Sequence, residues 1–137
     1  MRGACRILGD VAKILVIDDS KMMRLFLRRC LEKAGYEVEE WVPLSAMEVP
    51  DYIAGSKPDL IISDFQMPGC NGSSLARMVH KSNAAVPVLI LTAFRDDEME
   101  LNLLKIGVQR VLSKPINEAS LVFAVKGTLA PPPGEDE

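Results

Sequence analysis

Surplus positive charge, histidine and long apolar runs are all scarce in this sequence. Lys and Arg total 16 against 19 Asp and Glu, for a formal net charge of −3. A nucleic-acid-binding module usually carries a basic face, so direct contact with nucleic acid is not expected. No apolar run approaches the ~20 residues of a membrane-spanning helix, so no membrane span is expected. Residues 1–10 carry Arg2 and Arg6 without an apolar stretch, and no signal peptide is expected there. His80 is the single histidine, and it reads as a solvent-facing helical side chain rather than a phosphotransfer group. The three cysteines, Cys5, Cys30 and Cys70, are odd in number and form no C-x-x-C pair. A reduced, cytoplasmic setting follows. Cys30 is expected in a helix core, and Cys5 and Cys70 as ordinary surface thiols.

What the chain does have is enough material for one core. It is 137 residues long, 48% hydrophobic and 26% charged, as a globular domain should be. No internal repeat or second domain is evident. Three parts are expected: an N-terminal extension over 1–11, a folded domain over 12–129, and a disordered, acidic, Pro-rich tail over 130–137.

Apolar runs alternate with helical stripes along the folded part. Ala12 to Ile17 reads as a strand. The helix after it carries Met23, Phe26, Leu27, Cys30 and Leu31 as one buried stripe and stops at Gly35. Arg28-Arg29 reads as a solvated helix face. Tyr36 to Val42 alternates like an edge strand, with Trp41 packing near its end. Leu44 to Ala54 should be helical, but Pro50 falls inside it and is expected to bend it. Leu60 to Ser63, between Lys57-Pro58 and Pro68-Gly69, reads as a strand buried on both faces.

The loop Gly69 to Gly72 leads to a helix that Ser73 or Ser74 would cap, with Leu75, Met78 and Val79 inward. Pro87 to Leu91 reads as the fourth strand. A helix from about Asp96 to Ile106 follows, starting acidic and stopping at Gly107. Gln109 to Ser113 is the fifth strand, and Asn117 to Thr128 the last helix, with Leu121, Ala124 and Val125 inward. Strand–helix alternation of this length predicts an α/β fold with a five-stranded parallel sheet covered on both faces.

The chemistry gathers where these strands end. Asp18 and Asp19 close the first strand, Asp64 the third, Thr92 the fourth and Lys114 the fifth. In a parallel sheet those ends share one edge, so groups distant in sequence can converge. Singly, each has an ordinary explanation: Asp18-Asp19 as a helix cap, Asp64 as a turn residue, Thr92 as a strand end, Lys114-Pro115 as a loop. Together they read as a site. Clustered carboxylates offer hard oxygen ligands that suit Mg²⁺. A carboxylate, Asp64, can attack phosphorus to form an acyl phosphate. A lysine and a hydroxyl would then offset charge on the transferred oxygens.

The segments Ile14-Leu15-Val16-Ile17-Asp18-Asp19-Ser20, Asp59 to Gly69 with Gly72, Leu91-Thr92-Ala93 and Lys114-Pro115 resemble the response-regulator receiver family. The resemblance runs from about Lys13 to Thr128. It implies a flavodoxin-like fold with strand order 2-1-3-4-5. It implies that Asp64 takes phosphate from a histidine kinase or histidine phosphotransfer protein and so switches binding to a downstream protein. It further implies Mg²⁺ held by Asp18, Asp19, Asp64 and the backbone carbonyl of Gln66, with Thr92 and Lys114 on the phosphoryl oxygens. A cis Lys114-Pro115 bond is expected on the same ground, and a homodimer is allowed. With no output domain in the sequence, the chain looks like a single-domain, chemotaxis-regulator-like receiver.

One departure stands out. Receivers commonly carry Tyr or Phe three residues before the lysine, and here that position is Val111. Phe94, two residues after Thr92, is bulky enough to shield a phosphoryl group. Two other classes remain. A haloacid-dehalogenase-like phosphatase needs a second Asp two residues after its nucleophile, and Gln66 stands there. A receiver-shaped interaction domain that never carries phosphate would not need the acidic set.

Overall fold

The structure, a computed structural model, describes residues 11–83 and 85–130. Cys5, the expected N-terminal extension through residue 10 and the expected tail from residue 131 lie outside the described residues. Five parallel strands form one sheet in the order β2-β1-β3-β4-β5: β1 Lys13–Ile17, β2 Glu37–Trp41, β3 Leu60–Asp64, β4 Val88–Thr92 and β5 Arg110–Ser113. Each is followed by a helix: α1 Lys21–Lys33, α2 Val49–Ser56, α3 Gly72–Ser82, α4 Asp97–Ile106 and α5 Glu118–Leu129. This is the expected flavodoxin-like arrangement, with β2 at an edge.

Side chains alternate across a strand, so each central strand feeds two cores. Leu15, Ile17, Ile61 and Ile90 face α2, α3 and α4, where Ile53, Leu75, Val79 and Leu103 meet them. Ile14, Val16, Leu60, Ile62, Leu89 and Leu91 face α1 and α5, where Leu27, Leu31, Leu121 and Val125 close the layer. Burying one such side chain stabilises by roughly 1.5–3 kcal/mol, which makes β1, β3 and β4 the rigid frame.

Several local expectations need correction. Pro50 bends nothing. It occupies the first turn of α2, where a backbone N–H has no helical partner to lose, and a 3₁₀ turn at Ala46–Glu48 leads the chain in. Asn71, not a serine, caps α3, its side chain accepting from the Ser74 N–H at 2.8 Å. Phe26 is 36% exposed, because the stripe of α1 narrows to Leu27, Cys30 and Leu31. Cys70 is buried rather than a surface thiol. Arg28 is not merely solvated: its Nε donates to Glu40 Oε2 at 2.7 Å and its Nη2 to the Val38 carbonyl at 3.3 Å. The Lys114-Pro115 bond is cis, as expected.

Polar bonds tie β2 to its helix. Ser56 Oγ donates to Glu39 Oε1 at 2.7 Å, the Tyr52 hydroxyl donates to Glu39 Oε2, and Lys13 Nζ lies 3.1 Å from Oε1. Trp41 stacks on Tyr52 with ring centroids 3.9 Å apart. Burial pushes the Glu39 carboxyl up, but the bonds from Tyr52, Ser56 and Lys13 outweigh it and hold it below the usual carboxylate range. A depressed folded-state value means stability that is present above the unfolded value, ~4.3 for Glu, and lost as pH falls through the folded one. Glu39→Gln should therefore cost about 1 kcal/mol at neutral pH. The difference from wild type should vanish in acid. Denaturant unfolding at both pH values checks this, and an equal gap at both would rule it out.

Candidate functional site

The register of the sheet sets the site. Ile17 pairs with Ser63, so Asp18 and Asp64 leave neighbouring strands level with each other, one residue past that pair. Asp64 pairs with Leu91, so Thr92 lies one rung farther on, and Thr92 pairs with Ser113, so Lys114 lies one rung beyond that. The Lys114 N–H donates to the Thr92 carbonyl at 2.8 Å and fixes that offset. The four strand ends singled out in the sequence thus share one edge of the sheet.

The acids converge. Asp18, Asp19 and Asp64 each bring a carboxylate oxygen within 4.8 Å of the others. Asp18 and Asp64 are buried and Asp19 is exposed. Lys114 Nζ spans the two buried ones, at 3.1 Å from Asp18 Oδ2 and 3.0 Å from Asp64 Oδ1. Asp18 Oδ1 accepts from the Ser20 N–H at 2.8 Å. Ser20, not the acid pair, caps α1 by accepting from the Met23 N–H. The Asp18-Asp19 side chains are therefore spared from capping.

Charge at this mouth is unbalanced: three carboxylates face one ammonium. Burial raises the Asp64 carboxyl, the nearby Asp18 and Asp19 charges add to that, and Lys114 only partly offsets it. Burial would lower the Lys114 ammonium, but its bonds to Asp64 and Asp18 outweigh it and leave it raised. The lysine is a fixed cation and the acids retain unmet negative charge. An all-oxygen, partly open donor set of this kind fits Mg²⁺. The Gln66 carbonyl accepts no hydrogen bond among the described residues and is free to add a ligand. It stands beside an open groove of about 360 Å³ lined by Gln66, Met67, Pro68 and Asn71.

Thr92 is buried, but its hydroxyl is engaged elsewhere. It accepts from the Phe94 N–H at 3.2 Å and donates to the Phe94 carbonyl at 3.3 Å. Thr92 is brought to the edge, but its hydroxyl bonds Phe94 and not the acids or the Lys114 ammonium. Phe94 itself is 79% exposed, so its ring makes no cover for the mouth in this state. Val111 is buried in the core on β5. His80 is exposed, as expected, with its ring beside Gly107.

The loop after Asp64 is held by glycine. Gly69 has φ +78°, and a Cβ there would lie 2.3 Å from the Leu44 carbonyl oxygen. Only glycine lets this loop pass so close to the β2–α2 connection. One contact was not legible in the sequence: Arg24, which no sequence pattern singles out, reaches back to the Asp18 carbonyl at 2.6 Å. Salt-bridge spacing within a helix gives no sign of such a bond.

Comparisons with known proteins agree with this geometry. The family model described as response regulator receiver domain matches residues 14–126. The chain is 32% identical over 127 residues to the phosphate regulon transcriptional regulatory protein PhoB of Pseudomonas aeruginosa, covering 90% of this chain and 55% of that one. It is 32% identical over 124 residues to the sensor histidine kinase TmoS of Ectopseudomonas mendocina, covering 89% of this chain and 12% of that one. The chain thus spans about half or less of these curated relatives. Among solved structures, a putative response regulator from Chloroflexus aurantiacus superposes with a TM-score of 0.79 at 31% identity, covering 89% of this chain and 100% of that one. The chemotaxis protein CheY4 of Vibrio cholerae superposes at 0.77 with 29% identity, covering 86% and 98%.

Proposed function

The chain belongs to the response regulator receiver domain family, and on that premise we propose that it is a phosphorylation-controlled binding switch with Asp64 as the phosphoacceptor. The donor is a histidine kinase or a histidine phosphotransfer protein, and the output is altered affinity for a downstream protein. Residues 12–129 form the receiver unit, working in the cytoplasm. Among the described residues no helix is long and apolar enough to cross a membrane. The observation that carries the reading is Lys114 Nζ bridging Asp18 and Asp64 beside a third carboxylate.

The chemistry follows from those positions. A carboxylate oxygen of Asp64 attacks the phosphorus of a phosphohistidine. The new P–O bond forms as the P–N bond breaks, and the imidazole nitrogen keeps the electron pair and takes up a proton. Lys114 shifts from the Asp64 oxygen to a phosphoryl oxygen. The Thr92 hydroxyl donates to another, and in doing so leaves the Phe94 carbonyl. Asp18, Asp19, Asp64 and the Gln66 carbonyl would hold Mg²⁺, which when bound supplies positive charge against the transferred oxygens. The protein thus catalyses only its own phosphorylation and the hydrolysis that reverses it.

Readout cannot use an aromatic rotamer on β5, because Val111 is there. Loss of the Thr92–Phe94 bonds instead loosens the segment leading into α4, and movement of that segment carries the signal. A homodimer is one form the output can take. The test is direct: labelled acetyl phosphate with Mg²⁺ should place one phosphoryl group per chain. The adduct should show the hydroxylamine sensitivity of an acyl phosphate, and chelator should prevent it. No labelling under any of these conditions would refute the proposal.

Phe94→Ala gives a finer check. If the freed loop folds the ring over the phosphoryl group, its loss should shorten the aspartyl-phosphate lifetime by a few-fold, on the order of 1 kcal/mol of barrier. An unchanged lifetime would remove Phe94 from any shielding role.

A further inference from the structure

Arg24 stands outside the site, yet it grips it. It lies in the first turn of α1, and its side chain is only 16% exposed. Nη1 donates to the backbone carbonyl of Asp18 at 2.6 Å, and Nε donates to Glu40 Oε1 at 3.1 Å. Glu40 sits on β2, and its second oxygen takes Arg28 Nε at 2.7 Å. Arg28 also holds the Val38 carbonyl on the same strand. A continuous set of charge-assisted bonds therefore runs from β2 through Glu40 and Arg24 to the peptide joining the two acids.

We propose that Arg24 is a positioning residue for the acid pair. It fixes the Asp18 carbonyl, and with it the peptide plane from which the Asp18 and Asp19 side chains project. The Ser20 N–H and Lys114 hold the Asp18 carboxylate, so Arg24 supplies the third, backbone grip. Carbonyls and carboxylates that bind a divalent cation need such outer support to keep their geometry. Glu40 adds a second service: it neutralises the guanidinium, so that a positive side chain beside the site does not repel the cation. The planar fork matters, because one arm must reach the carbonyl while another stays on Glu40, which an ammonium cannot do as well.

The inference rests on the reading that the acids hold a divalent cation, and the test separates the two. Mg²⁺ is titrated calorimetrically into wild type, Arg24→Gln, Arg24→Lys and Glu40→Gln, well below each unfolding midpoint, with the midpoint recorded for each. Arg24→Gln is expected to weaken Mg²⁺ binding by ~10-fold or more, within the ~10–100-fold span of outer-support changes at metal sites. Arg24→Lys should recover part of that affinity, and Glu40→Gln should lose less than Arg24→Gln. Beryllofluoride capture in the presence of Mg²⁺ should fall in the same order. If Arg24→Gln lowers the midpoint but binds Mg²⁺ like wild type, Arg24 only staples α1 to β2 and the inference is overturned. If Arg24→Gln does not fold, wild-type affinity in both Arg24→Lys and Glu40→Gln overturns it. If wild type itself binds no Mg²⁺, the cation reading falls first and this inference with it.

Discussion

Asp64→Asn should abolish phosphoryl acceptance while leaving a folded and more stable protein. An amide oxygen is a far weaker nucleophile than a carboxylate, so labelling from acetyl phosphate should drop by at least ~10³-fold, the scale for removing an attacking group. Stability should move the other way. Asp64 is 8% exposed, and burial with the Asp18 and Asp19 charges raises its carboxyl. A raised acid binds its proton more tightly in the folded state, so wild type is most stable at pH below the unfolded value. It loses that advantage as pH rises through the folded one. At neutral pH the ionised Asp64 is thus a cost that asparagine removes. With chelator present, Asp64→Asn should be stabilised by about 1 kcal/mol, a common size for relaxing a functional site. Adding Mg²⁺ should shrink the gap, because cation binding favours the wild-type set. Thermal unfolding with and without chelator measures both effects. Labelling of the variant at the wild-type level would move the phosphoacceptor elsewhere.

Lys114→Ala should produce the largest loss of stability. Its ammonium is the single cation within 3.1 Å of the buried acids Asp18 and Asp64 among the described residues. Removing one partner of a buried pair costs about 3–5 kcal/mol because the other charge is left uncompensated. Lys114 is 22% exposed, so solvent screening should reduce that to roughly 2–3 kcal/mol. Transfer should also slow by ~10²–10³-fold, the usual effect of deleting one donor to a developing oxyanion. The two losses separate on titration. Mg²⁺ should restore much of the stability by neutralising the acids, but not the rate, which in the proposed transfer needs the ammonium at a phosphoryl oxygen. A variant phosphorylated at the wild-type rate would remove Lys114 from the chemistry.

How much of this was legible in the sequence depended on what kind of information each feature needs. The sheet and its mouth were readable because four apolar runs each end on a polar residue, and parallel strands put like ends together. The register then aligned Asp18, Asp64, Thr92 and Lys114 without further help. Features set by a residue's position within an element were less so. Pro50 reads as a bend because its place in the first turn depends on where α2 begins, a boundary that composition leaves open. Asn71 lost out to Ser73 and Ser74 for the same reason. Long-range contacts were not readable at all. Arg28 had the spacing of a solvated face, and only its reach to Glu40 shows otherwise, while the reach of Arg24 to Asp18 has no counterpart in the pattern. Thr92 is an intermediate case: its place was foreseen, but its bonds to Phe94 were not.

Strand direction has a last practical consequence. β1 enters the sheet at the edge opposite the acids, and α5 returns from β5 toward that same edge. Val11, just before β1, and Ala130, just after α5, therefore lie at the sheet edge opposite Asp64. A fluorophore attached at either position would sit across the sheet from Asp64 and the acids.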